Sequence, residues 1–127
     1  MLTNGNLPQE LKTNNASLPD GYSRVLQRDM SHIDPWRFIE DVDELNAIYD
    51  TMRELYTDSI YLPFARRLDN DDVACVIIEN NRASRGRIGI VHLYASDGYE
   101  LDQIFDTFWD WFRTAVNDMV DLLESVN

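Results

Sequence analysis

The period of the apolar positions changes several times along this chain, and each change predicts an element. Val42, Leu45, Ile48, Tyr49, Met52, Leu55 and Tyr56 recur at spacings of three and four, which is the pattern of a helix with one buried face. Asp41 or Asp43 can cap its start, and acids there suit the helix dipole. Ile60 to Phe64 reads as an extended piece, with Pro63 marking a strand edge or strand end. Val73 to Ile78 is continuously apolar and rich in β-branched residues, so it predicts a central strand covered on both faces. Asn80 to Gly86 is a polar loop, and Arg87 to Tyr94 is the partner strand of an antiparallel hairpin. Leu101, Ile104, Phe105, Phe108, Phe112, Ala115, Met119, Leu122 and Leu123 then form a stripe that predicts one long helix over roughly Tyr99 to Ser125.

The upstream part is less regular. Residues Met1 to Leu18 are rich in Asn and Thr, with a short helical turn at Pro8–Leu11. Leu18-Pro19-Asp20-Gly21 reads as a turn, Tyr22 to Leu26 as a short strand, and Ser31 to Trp36 as a loop. The resulting order is α+β: an antiparallel or mixed sheet with helices packed on one side and a long helix at the C-terminus. Residues 1–17 read as an N-terminal extension and 18–127 as the domain proper.

Composition sets limits on function. At 127 residues the chain is long enough for one domain with a sizeable core. No apolar run approaches the roughly 20 residues needed to span a bilayer, and the first residues lack the basic flank and apolar stretch of a signal peptide. Cys75 is the single cysteine, so a disulfide framework is excluded and a cytoplasmic location is expected. The outlier is charge: 23 acidic against 11 basic side chains, for a net of −12. Residues 99–127 alone carry seven acids against Arg113, half of that net charge. Such a balance opposes binding to nucleic acid or to anionic membranes. It serves solubility, and it also suits an acidic face that meets a basic protein.

No catalytic or cofactor motif is present, and neither a cofactor nor a metal is expected. Asp69-Asn70-Asp71-Asp72 resembles the opening of a calcium loop, but the sixth position is Ala74 instead of Gly and the twelfth is Asn80 instead of an acid. Cys75 and His92 lie on the two paired strands, yet the apolar neighbours of Cys75 argue for burial over nucleophilic use. Glu79, at the end of the central strand, is the one carboxylate placed as a general-acid candidate, and a solvated strand end is the simpler reading. Within Phe108-Trp109-Asp110-Trp111-Phe112, the phenylalanines face the core. Trp109 and Trp111 fall on opposite shoulders, packing under loops such as that of Trp36 or offering a partner an anchor.

Taken together, Leu62-Pro63-Phe64-Ala65, Asp71-Asp72 with its apolar strand, the strand Gly86–Tyr94, and Phe108-Trp109-Asp110-Trp111-Phe112 resemble the SUKH superfamily, the SMI/KNR cell-wall-regulator-like proteins. The turn Leu18-Pro19-Asp20-Gly21 suits the same pattern, and the resemblance covers roughly Leu18 to Leu123. It implies an α+β fold without catalytic residues. Its bacterial members are largely immunity proteins that neutralise a cognate toxin, often a nuclease, and others are regulatory interaction modules. An acidic protein can occupy a basic nuclease site as a phosphate mimic. The expected partner surface therefore comprises Asp69, Asp71 and Asp72 of the turn, with Asp102, Asp106 and Asp110 of the last helix and Trp109 as an apolar anchor. A homodimer could form through an edge near Pro63 or through the amphipathic last helix.

Overall fold

A computed structural model of the chain describes residues 2–79 and 86–125. The fold is a six-stranded antiparallel sheet whose strands follow one another in sequence order. The strands are β1 (His32–Ile33), β2 (Trp36–Phe38), β3 (Ile60–Arg67), β4 (Asp72–Ile78), β5 (Ile88–His92) and β6 (Leu101–Phe105). Four helices accompany them: α1 (Gln9–Thr13), α2 (Asp20–Leu26), α3 (Val42–Leu55) and α4 (Phe108–Ser125). This is the α+β class with its long C-terminal helix. Among the described residues, no helix is long and apolar enough to cross a membrane.

The helices cover both faces of the sheet, not one. Cys75 lies against Met52 of α3, Sγ to Sδ 3.9 Å, so the odd positions of β4 face α3. The register sets Ala74 opposite Ala65, and Ala65 opposite Phe38, on the other face. There Trp36, Phe38 and Phe64 meet Phe108 and Trp111 of α4 in a cluster with ring centroids 5.1–6.3 Å apart. Burial of β4 from Val73 to Ile77 follows from this double cover. The N-terminal stretch belongs to the same core: Leu2, Leu7, Leu11 and Ala16 are buried. Glu10 of α1 is tied to Arg53 of α3 at 2.8 Å. The Tyr49 hydroxyl, and then Arg53, hold the Glu10 carboxyl below the usual carboxylate range.

α3 forms where the periodicity places it, with Asp41 accepting from the backbone N–H of Glu44 as its cap. β4 and β5 form the expected hairpin, Val73 opposite Val91 and Cys75 opposite Gly89; most of its loop, 80–85, lies outside the described residues. Four elements differ from expectation. Ser31–Trp36 is not a loop throughout: it holds β1 and the first residue of β2, paired across a tight turn. Residues 22–26 are not a strand but part of α2, which starts directly after Pro19. Pro63 lies inside β3, which runs between β2 and β4, but β2 ends opposite Ala65 and the ladder bulges at Phe64, so Pro63 has no β2 partner. The outermost strands are β1 and β6. The expected long helix is split: Leu101–Phe105 is the edge strand β6, and α4 begins only at Phe108.

α2 can approach α4 because Gly21 has no side chain. A Cβ there would stand 2.2 Å from two ring carbons of Phe108, and Phe108 is held among Phe38, Phe64, Trp111 and Phe112. Gly21→Ala should therefore overpack this contact and cost about 1–3 kcal/mol, measured by urea unfolding. An unchanged midpoint would show that the ring moves freely aside.

Candidate functional site

The sheet brings three loops or strand ends together at one end. Asp72 begins β4, His92 ends β5 opposite it, and Leu101 begins β6 opposite Val91. The β3–β4 turn, residues 68–71, and the β5–β6 connection, residues 93–100, are therefore neighbours. The backbone N–H of Leu93 donates to the Asp71 carbonyl at 3.3 Å, joining them directly. The turn is ordered by Asn70, whose side chain accepts from the N–H of Asp72 at 2.8 Å, a local Asx bond.

Across this end runs a row of acid, imidazole and acid. Asp72 pairs with Nδ1 of His92, and Nε2 of the same ring lies 3.4 Å from Asp102. Asp71 and Asp97 are exposed beside it. A shallow cleft of about 210 Å³ opens between the turn and α3, lined by Asp71, Asp72, Ala47, Thr51, Arg66 and Tyr94 among others. Arg66 lines the same cleft, and it is already 3.4 Å from Glu44.

The β5–β6 connection adds what the carboxylates lack. Tyr94 and Tyr99 are 69% and 80% exposed, the two most open aromatic side chains among the described residues. Tyr94 also has φ of +69°, a left-handed conformation that costs a bulky side chain of order 1 kcal/mol. The loop that holds these tyrosines out is firmly pinned. Tyr56, buried at the end of α3, donates to the carbonyls of His92 and Ala95 at 3.0 and 2.9 Å. Glu100, 4% exposed, accepts from the Tyr61 hydroxyl at 2.6 Å and from the N–H of Gly98 at 2.8 Å. Burial, and then this carboxylate, push the Tyr61 phenol well above its usual pKa, so it stays a donor.

No protein-family model matches the chain, and no curated protein or solved structure is significantly similar to it.

Of the residues expected to form one acidic surface, Asp71, Asp72 and Asp102 do come together. Asp69 turns away, bound to Arg67 at 2.7 Å; Arg67 also reaches Asp118 of α4 at 3.3 Å and lies over Trp36. Asp106, Trp109 and Asp110 lie elsewhere. Because 101–105 is a strand and not a helical turn, it carries the chain about 17 Å to the other end of the sheet before α4 starts. Asp106 follows β6 there, and Asp110 pairs with Arg113 at 3.6 Å. Trp109 sits beside α2 in a separate groove with Arg24 and Arg28. The two indole positions also separate: Trp111 is fully buried against Trp36, while Trp109 is 37% exposed.

Cys75 and His92 are three register positions apart, and Cys75 is fully buried, its thiol pushed well above the usual range by burial. Glu79 is half-exposed and bound to Arg87 at 2.5 Å; the buried carboxylate is Glu100 instead. Among the described residues, no group of three or more acids, histidines or cysteines is arranged to hold a metal ion.

Proposed function

We propose that this chain is an immunity protein of the kind its SUKH resemblance implies: a cytoplasmic, non-enzymatic protein that binds a basic toxin domain and covers its surface. The observation that carries the reading is the convergence of Asp71, Asp72, Asp97 and Asp102 with the exposed, pinned Tyr94 and Tyr99 at one end of the sheet. The carboxylates supply charge-assisted hydrogen bonds to Arg and Lys of the partner and steer its approach. The tyrosines supply contact area at little entropic cost, because the loop is already held. A nuclease fits as the target, since its phosphate-binding site is basic.

Affinity capture from the native host tests this. The wild-type chain should retain a basic protein whose expression alone is toxic, and retention should fall as salt rises. Asp71→Lys with Asp102→Lys should abolish capture, and Tyr94→Ala should weaken it at least tenfold. Undiminished capture by the double lysine variant, at any salt concentration, would sink the reading.

A further inference from the structure

A stripe of apolar side chains along the flank of α4, at the margin of its buried face, is symmetric in sequence. Trp109 and Leu123 lie seven residues on either side of Val116, and Phe112 and Val120 lie four. With 100° per residue these five positions fall within one narrow sector of the helix, beside the buried Phe108, Trp111 and Ala115. None of the five is buried: Trp109 is 37% exposed, Val120 40% and Leu123 64%. At 1.5 Å per residue the stripe is about 21 Å long.

At the Trp109 end the stripe borders a groove of about 350 Å³ between α2 and α4, lined by Val25, Met30, Trp109 and Phe112 with Arg24 and Arg28 on its rim. These arginines make no salt bridge among the described residues, in a chain with 23 acids. At the other end the polarity is reversed. The last turns of α4 carry Asp121 and Glu124 and no basic residue, and the helix dipole adds negative charge there.

A helix whose apolar stripe reads alike in both directions, with a cationic groove at one end and an anionic end at the other, is complementary to itself run antiparallel. We propose that α4 and the α2–α4 groove form a two-fold interface between two copies of this chain, with Leu123 of each copy seated in the groove of the other. Val116 then lies on the axis, Trp109 opposite the Leu123 of the second copy, and Arg24 and Arg28 beside its acidic helix end. Such an interface is isologous and closes on itself. Its length is that of one helix, so the dissociation constant should be micromolar. The interface uses none of the residues at the acidic end of the sheet and stands independently of the function proposed for them.

Sedimentation of the full chain across a concentration series tests the interface. The expected mass rises from 14.8 kDa to twice that value as the chain passes through the micromolar range. Leu123→Glu should leave a monomer with unchanged circular dichroism, and Arg24→Glu with Arg28→Glu should weaken association at least tenfold. Val116→Cys should crosslink two copies under a mild oxidant, whereas Asp110→Cys, on another side of α4, should not. A wild-type chain that stays monomeric at about 100 µM overturns the proposal and leaves the groove to another protein. So does a dimer indifferent to Leu123→Glu, or one crosslinked equally well through position 110.

Discussion

Trp111→Ala should cost about 3–5 kcal/mol of stability, a large share of a domain total of order 5–15 kcal/mol. Trp111 is fully buried, and its indole touches rings from three different elements: Trp36 and Phe38 of β2, Phe64 of β3, and Phe108 and Phe112 of α4. Three of these contacts are edge-to-face, at 5.1–5.8 Å, the arrangement in which aromatic quadrupoles attract. The neighbours are held by the sheet and cannot close over an indole-sized void, so the cavity adds to the lost transfer energy. Trp109→Ala is the control: Trp109, two residues earlier, is 37% exposed, so its removal should cost clearly less. Urea unfolding of both variants decides the matter, and equal losses would mean that α4 is wrongly phased on the sheet.

That phase is the point at which sequence and structure part. Periodicity locates α3 and the β4–β5 hairpin because each is set by its own residues: seven apolar positions at helical spacing, and an apolar run with a polar loop behind it. It misplaces the start of α4 because Leu101, Ile104 and Phe105 also obey a three-four spacing. They become a strand because β5 needs a partner on its open side, and such tertiary demand overrides local preference. Phe108 and Phe112 do pack against the core as read, whereas Trp111, read as a shoulder, is fully buried. A boundary signal was nevertheless present: Thr107 accepts from the N–H of Asp110 at 3.1 Å, and Thr-x-x-Asp before an apolar run is a helix start. Pro19 gives α2 a similar signal, obscured by the Asp-Gly that follows it.

The acidic turn shows the same division at the level of the site. Its four polar residues are visible in sequence as a group, but their side chains diverge, because Arg67 draws Asp69 toward α4 and His92 draws Asp72 toward β6. Neither arginine nor histidine is near its acid in a pattern that spacing could read, apart from the Arg67–Asp69 step. Tyr94 and Tyr99 were hidden for a different reason: placed in a strand end and a helix start, they looked like structural residues. Only the break between β5 and β6 sets them on a loop.

The second large effect concerns what holds that loop. Glu100→Ala should cost roughly 1–3 kcal/mol, since it strands the buried Tyr61 hydroxyl, and it releases the exposed Gly98 N–H from the loop to water. Glu100 is itself 4% exposed and has no cation among its hydrogen-bond partners. Its two donors lie on opposite carboxylate oxygens, Oε2 toward Tyr61 and Oε1 toward Gly98. Glu100→Gln keeps one acceptor and turns an NH₂ group toward the other donor, so it should recover only about half of the loss. The two variants separate folding from function. If the pinned loop is what presents Tyr94 and Tyr99 to a partner, Glu100→Gln should weaken capture of that partner at least tenfold while the fold survives. Hydrogen exchange should then show faster exchange confined to residues 93–100. Protection of that segment unchanged in Glu100→Gln, or partner binding unchanged despite its loss, would separate the buried carboxylate from the surface it underlies.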